Sequence, residues 1–170
     1  ANLFGDQDAA EGSAYAGFYA YGANNLREYV SVALSDTLTP GEQYCISFKV
    51  SRADFTYQAV ENIGLYFSAS PISTINGSQH LGLTPQVINQ NGIITNDQGW
   101  TTITGIYTAT DTMRYITIGN FNSNANTNVT TVAFVPGVSG PFINEGYYYL
   151  DDVKVEKLPP LTIAVAPIND

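Results

Sequence analysis

The sequence predicts an all-β protein built as an antiparallel β-sandwich, and three observations support that fold class. Tyr44, Ile46, Phe48 and Val50 alternate with polar residues, which is the period of a strand with one buried face. No helical period of about ten residues appears anywhere in the chain. Clusters of Gly, Pro, Asn and Ser separate about seven to nine such segments, and 170 residues suffice for one domain with a substantial core.

Each predicted strand has a local signal of its own. Val30 and Val32 share one face of the second segment, and residues 39–42 (Thr-Pro-Gly-Glu) form a turn in which Pro sets φ and Gly takes the unusual dihedral. The stretch 70–96, rich in Pro, Gly, Asn and Ser, is predicted to be a long surface loop. The strands are predicted at 13–22, 26–34, 43–50, 63–67, 101–109, 113–121, 129–135 and 147–157.

The predicted closing strand has the most unusual pattern. Tyr147 and Tyr149 have the parity of the valines later in the strand, so both are predicted to point inward and Tyr148 to be exposed. Two adjacent acids, Asp151 and Asp152, interrupt the strand although Asp is a poor strand former. A carboxylate on the inner face must be paired or metal-bound, so the pair predicts a structural or metal-binding role.

Composition excludes several classes of function. Only 12% of residues are charged and the formal net charge is −9, so the surface repels phosphate backbones and no nucleic-acid partner is predicted. Cys45 is the lone cysteine and the lone histidine, His80, lies in a loop, so neither a disulfide nor an enzyme is predicted. No stretch reaches the roughly 20 apolar residues of a membrane span. The Tyr-rich, low-charge composition is typical of secreted β-proteins.

Several short motifs follow one another along the chain. In this order they resemble a module of large surface proteins of Bacteroidetes, found beside OmpA-like or gliding-associated C-terminal domains, and more widely the carbohydrate-binding jelly rolls. The resemblance implies a galactose-binding-like jelly roll over residues 1–157. The motifs are 27–29 (Arg-Glu-Tyr), 38–44 (Leu-Thr-Pro-Gly-Glu-Gln-Tyr), 62–67 (Asn-Ile-Gly-Leu-Tyr-Phe), 99–100 (Gly-Trp), 115–121 (Tyr-Ile-Thr-Ile-Gly-Asn-Phe) and 149–153 (Tyr-Leu-Asp-Asp-Val).

The resemblance implies a non-catalytic module of a secreted or cell-surface protein that binds a polysaccharide or a cell-surface glycan, in an adhesive role. Tyr148, Trp100 and Tyr21 are the candidate rings for stacking on apolar sugar faces, since both residue types are amphipathic. Arg27 and Asn122 are the candidates for bonding sugar hydroxyls. The alternative for each ring is packing in the core or between the sheets.

A structural calcium ion near the closing strand is a further expectation from the resemblance. Ca²⁺ takes about 6–8 oxygen ligands in flexible geometry. The candidate ligands are Asp6, Asp8 and Glu11 in the acidic N-terminal segment, together with Asp152. The alternative is a solvated N-terminal arm, with the acidic pair of the closing strand bonding loop amides or Arg27.

Residues 158–170 are predicted to be a separate element. Two prolines, Pro159 and Pro160, break the closing strand, and Leu161–Ile168 resumes an apolar alternation. The modules that the chain resembles begin with a further strand for which this chain has no room. The tail is therefore predicted either to fill that place in another copy, making the protein a structural subunit or stalk domain, or to be a linker to a following domain.

Overall fold

The computed structural model describes residues 3–73, 79–133 and 144–160. These ranges contain ten strands and two short 3₁₀ turns, Ala23–Asn25 and Asn124–Asn126, and within them no helix is long and apolar enough to cross a membrane. The strands are β1 (Ala16–Tyr21), β2 (Val30–Ala33), β3 (Gln43–Arg52), β4 (Gln58–Val60), β5 (Ile63–Ser68), β6 (Val87–Ile88), β7 (Thr101–Thr108), β8 (Tyr115–Asn120), β9 (Val129–Thr131) and β10 (Gly146–Lys157).

Eight of these strands form two antiparallel sheets. The first sheet has the order β1-β10-β3-β7 and the second the order β2-β8-β5-β6, while β4 and β9 pair separately. One hydrophobic core contains the inward side chains of both sheets. The antiparallel β-sandwich predicted from the sequence is therefore confirmed.

The core is built from the alternation seen in the sequence. Ile46, Phe48 and Val50 of β3 are fully buried, as their spacing predicts, and Leu65 and Phe67 of β5 belong to the same buried cluster from the second sheet. Burial of a side chain of this size stabilises the fold by about 1.5–3 kcal/mol. The sandwich therefore depends mainly on these inward-facing rows.

A β-bulge in β10 reverses the predicted facing of its tyrosines. Between residues 151 and 154, β10 has two residues where the segment 47–49 of β3 has one, and Asp152 takes a φ of 49° there. The extra residue switches parity, so the valines beyond the bulge do not report on the tyrosines before it. Tyr148 is the ring that points into the core, and the prediction that it is exposed is wrong.

Some elements differ from the predicted boundaries or were missed. The two strands that the sequence did not predict, β4 and β6, have three and two residues and are too short to show a period of their own. The segment predicted at 129–135 is a strand over Val129–Thr131. The predicted terminal strand Leu161–Ile168 lies outside the described residues.

Candidate functional site

Two loops meet at one end of the sandwich, one between β1 and β2 and the other between β8 and β9. Between them lies Arg27, which is only 1% exposed. Its Nη1 donates to the carbonyl of Leu26 at 2.7 Å, and its Nη2 donates to the carbonyl of Asn122 at 3.0 Å and to Thr127 Oγ1 at 3.3 Å. The Tyr21 ring centroid lies 5.3 Å from the guanidinium carbon. The structure thus brings three predicted site residues together: Tyr21, Arg27 and Asn122.

Arg27 supports this loop end from beneath and does not face a ligand. Burial lowers the pKa of its guanidinium. Two carbonyls, a hydroxyl and the Tyr21 ring offset the burial of the charge, and within the described chain no carboxylate pairs with it. The prediction that Arg27 bonds sugar hydroxyls is therefore wrong, because the side chain is enclosed by the two loops.

Asparagine side chains fasten the same two loops. Asn120 Nδ2 donates to the carbonyl of Ala20 at 2.9 Å. Asn124 Nδ2 donates to the carbonyl of Gly22 at 2.9 Å, and its backbone N–H donates to Asn25 Oδ1 at 2.7 Å. These direct bonds join segments about 100 residues apart, so the loop end is ordered before any ligand arrives.

A cavity opens beside these loops, and we call it the loop-end cavity. Its volume is about 280 Å³. The lining combines one aromatic ring with three primary amides and no charged side chain. The lining residues are Tyr21, Gly22, Ala23, Gln58, Asn124 and Asn144.

The N-terminal arm, residues 3–15, lies against the outward face of the first sheet. Asp151 anchors it, since its Oδ2 accepts the N–H groups of Ala10 at 2.7 Å and Glu11 at 3.1 Å. The prediction that the acidic pair bonds loop amides is therefore confirmed for Asp151, whereas neither acid bonds Arg27. The arm is a packed part of the fold, contrary to the solvated arm considered above.

Aromatic rings form a cluster where the arm meets the first sheet. Phe4 stacks on Tyr147 with ring centroids 4.0 Å apart. Trp100 Nε1 donates to the carbonyl of Asp8 at 2.9 Å, so this predicted ligand residue belongs to the arm contact and not to the loop end. The members of the cluster are Phe4, Tyr15, Tyr19, Trp100, Tyr147 and Tyr149.

Asp152 is paired with two lysines. Its carboxylate lies 2.6 Å from Lys154 Nζ and 3.0 Å from Lys49 Nζ, and these ammonium groups, Lys154 most strongly, hold the pKa of Asp152 below its ordinary value. Among the described residues no three His, Cys, Asp or Glu side chains could hold a metal ion together. The four predicted calcium ligands, Asp6, Asp8, Glu11 and Asp152, therefore form no such group among the described residues, and Asp152 is instead paired with lysines.

Asp6 and Asp8 line a polar cavity of about 230 Å³ beside the arm, together with Asp54 and Asp97. Asp54 Oδ2 accepts the N–H of Asp6 at 3.0 Å, and Asp97 is ion-paired with the buried Arg52. Two of the four carboxylates thus already serve to tie the arm and the 95–98 loop to β3.

Tyr148 also has a structural position. Its hydroxyl donates to the carbonyl of Ile94 and accepts the N–H of Val60, both at 2.8 Å. Burial is the main cause that raises its pKa above the ordinary tyrosine value. A ring with no exposed area cannot contact a ligand, so Tyr148 is removed from the candidate site.

The second sheet has a different outward surface, which we call the tyrosine face. Tyr66 pairs across β5 and β8 with Thr117, and Ser68 pairs with Tyr115, so the two tyrosines are diagonal neighbours on one side of the sheet. Diagonal neighbours lie about 7–8 Å apart. Both rings are half-buried, and Ser31 of β2 adds a hydroxyl 3.0 Å from Thr117 Oγ1.

Tyr29 covers the other end of this sheet surface, at Gly119. Tyr29 lies over Gly119, where a Cβ would come within 2.5 Å of the tyrosine ring. The Tyr29 hydroxyl donates to the carbonyl of Asn120 and accepts the N–H of Leu81, both at 3.0 Å, and burial raises its pKa. Tyr29 is half-buried like Tyr66 and Tyr115, but its hydroxyl is held by these two bonds.

Sequence reasoning did not propose Tyr66 or Tyr115 as site residues. A signal for Tyr66 was present, because its parity is opposite to that of Ile63, Leu65 and Phe67, all fully buried. Nothing local indicated that Tyr115 would become its neighbour, since that depends on the pairing of β5 with β8.

Comparisons with known proteins give a fold likeness only. No protein-family model matches the sequence, and no curated protein matches it. One matching solved structure is the CBM22-1 xylan-binding domain from Paenibacillus barcinonensis Xyn10C, at 16% identity and a TM-score of 0.50, covering 91% of this chain and 79% of that one. Another, "CBM4 structure and function", has 17% identity and a TM-score of 0.44, covering 85% and 71%. The first likeness shows that the chain has the sandwich fold of that domain.

Proposed function

We propose that this protein is a non-catalytic carbohydrate-binding module of a secreted or cell-surface protein, and that it binds a polysaccharide across the tyrosine face. The observation that carries the proposal is the pair of half-buried rings, Tyr66 and Tyr115, set diagonally on an open sheet surface. Aromatic rings pack on the apolar faces of sugars, and tyrosine loses little entropy when it does so.

The polar groups beside the rings suit a neutral, hydroxylated ligand. Ser31 and Ser68 lie next to the two tyrosines in the sheet register. Their hydroxyls donate to the carbonyls of Ile116 and Ser70, and each oxygen can still accept a hydrogen bond. Gln86 is held by its Oε1, which accepts the N–H of Phe67 at 2.8 Å, so its amide group is positioned beside β5. The low charge of the chain and the fold shared with a xylan-binding domain are consistent with this function, although a fold by itself does not select a ligand.

The test is binding of neutral plant, algal and bacterial polysaccharides, measured by affinity electrophoresis and calorimetry. Replacing both rings (Tyr66→Ala with Tyr115→Ala) should weaken binding about 5- to 150-fold, if each ring contributes about 0.5–1.5 kcal/mol as aromatic pairs do. The Tyr→Phe double variant keeps both rings and should bind within a fewfold of the parent.

A control lies on the other sheet. Ile106 is 65% exposed on the outward side of β7, and Ile106→Ala should leave affinity unchanged. The proposal fails if no polysaccharide binds, or if the double alanine variant binds as well as the parent.

A second candidate function is structural assembly through the tail Leu161–Ile168. One observation favours it: β2 is an edge strand of the second sheet within the described chain, and its Val32 is 54% exposed. An edge strand with an exposed apolar side chain can accept an added strand from another chain. Deletion of residues 158–170 should then abolish assemblies seen by light scattering, and a full chain that stays monomeric at high concentration contradicts this candidate.

A further inference from the structure

The loop-end cavity has the chemistry of a sugar site separate from the tyrosine face. We propose that it holds one neutral sugar ring, the terminal residue of a glycan chain, with Tyr21 as its platform. This inference rests on the proposed glycan-binding function and adds a second, end-recognising site to it.

The lining selects the class of ligand. None of the six lining residues is charged, and three of them, Gln58, Asn124 and Asn144, carry a primary amide. A primary amide has both a donor and an acceptor end, as a sugar hydroxyl does. The lining of the cavity therefore suits a neutral sugar ring with several hydroxyls.

Tyr21 is prepared as a stacking surface. The guanidinium of Arg27 lies on the ring, 5.3 Å from its centroid, and three hydrogen bonds fix that guanidinium to the two loops. The guanidinium therefore supports the ring, which also lines the cavity. A side chain held in this way loses little freedom when a ligand packs on it.

One residue of the cavity wall, Asn124, is also held in place. Asn124 is held at both its backbone N–H, by Asn25 Oδ1, and its side-chain Nδ2, by the carbonyl of Gly22. Since only the nitrogen of the amide can donate to a carbonyl, this bond also fixes which way the Asn124 amide points. A preformed cavity of this kind favours a specific ring over unselective adsorption.

Size separates this cavity from the tyrosine face. Ligand cavities in proteins span about 300–1,000 Å³, so a volume of about 280 Å³ lies at their small end. It suits a single ring better than an extended chain. The tyrosine face, in contrast, is a sheet surface that Tyr29 bounds at one end, and its two neighbouring rings suit a longer stretch of sugar units.

The experiment titrates the ¹⁵N-labelled protein with methyl glycosides of neutral hexoses and pentoses, with methyl glucuronide as the acidic comparison. At least one neutral glycoside should shift the amide signals of 22–25, 124–126 and Asn144, with an affinity of roughly millimolar order for so small a ligand. Methyl glucuronide should bind more weakly than the matching neutral glycoside.

Substitutions in the lining test whether the glycoside binds in the loop-end cavity. Tyr21→Ala should weaken glycoside binding about 2- to 12-fold through the lost ring, while Tyr21→Phe, which keeps the ring, should bind like the parent. Ala23 lines the cavity and is exposed, so Ala23→Trp should fill the space and block binding even if Tyr21→Ala fails to fold. Ile106→Ala, on the outward side of β7, should leave glycoside affinity unchanged.

The outcomes separate the two proposals. Polysaccharide binding that depends on Tyr66 and Tyr115, with no glycoside shifting the loop-end signals, overturns the cavity site and leaves the proposed function standing. Glycoside binding that survives Ala23→Trp also overturns it. Absence of both kinds of binding overturns both proposals.

Discussion

Tyr148 offers a direct test of how β10 is joined to β4 and to the loop that contains Ile94. Its hydroxyl donates to the carbonyl of Ile94 and accepts the N–H of Val60, each at 2.8 Å, in a position with no exposed area. Tyr148→Phe keeps the ring and removes only the hydroxyl. Both backbone groups then lose a partner away from water, which costs about 1–3 kcal/mol for each group.

The expected loss of stability is therefore about 2–6 kcal/mol in the free energy of unfolding. For a chain of this size, about 2–4 °C per kcal/mol converts that loss into a fall of roughly 4–24 °C in Tm. The assay is urea unfolding followed by far-ultraviolet circular dichroism, with an unchanged denaturant slope as the check on two-state behaviour. Tyr115→Phe is the matched control on a half-buried ring and should change stability by less than about 0.5 kcal/mol.

The same residue predicts a dependence on alkaline pH. Burial raises the pKa of Tyr148 in the folded protein, while in the unfolded chain it titrates near its ordinary value of about 10. A raised pKa on an acid stabilises the fold fully below the unfolded value, and this stabilisation is lost as the pH rises above it. Above about pH 10 the parent should lose about 1.4 kcal/mol per pH unit from this residue alone.

The phenylalanine variant lacks that titration, so its stability deficit should shrink as the pH rises. At pH 11 the deficit should be smaller than at pH 7 by about 1.4 kcal/mol. A deficit below about 0.5 kcal/mol at pH 7, or one that does not change between pH 7 and pH 11, refutes the assignment of both hydrogen bonds to this hydroxyl.

Two further predictions concern the arm and the acidic pair. Asp151→Ala removes the acceptor of two arm amides. Hydrogen exchange of residues 3–15 should therefore accelerate by about 5- to 150-fold, corresponding to about 1–3 kcal/mol. The exposed control Asp36→Ala should not change this exchange, and equal exchange in both variants contradicts the anchoring role. Both carboxylate oxygens of Asp152 lie beside lysine ammonium groups, so a chelator or added calcium should move Tm by less than about 1 °C. A rise of several degrees with calcium contradicts this prediction, because it shows that an ion displaces the lysines.

Local patterns in the sequence determined the strands and the buried face of β3. Ile46, Phe48 and Val50 are buried because alternation places every second side chain on the same side of a strand, whatever the partner strand is. The same reasoning assigned the all-β class, because a missing helical period is also a local property. Asp151 was found in this way too, since a carboxylate inside a strand needs a partner.

The tertiary structure decided everything that depends on which strands and loops meet. The bulge in β10 placed Tyr148 on the buried side of the sheet. The sequence of β10 alone could not show this bulge, because an extra residue is defined only by the pairing of β10 with β3. Arg27 was buried by a loop about 95 residues away, whose carbonyl offsets the cost of enclosing its charge. Tyr66 and Tyr115 became neighbours only through the register of β5 with β8. Side-chain periodicity is a property of one strand, whereas a binding surface is a property of strands that pair across long sequence distances.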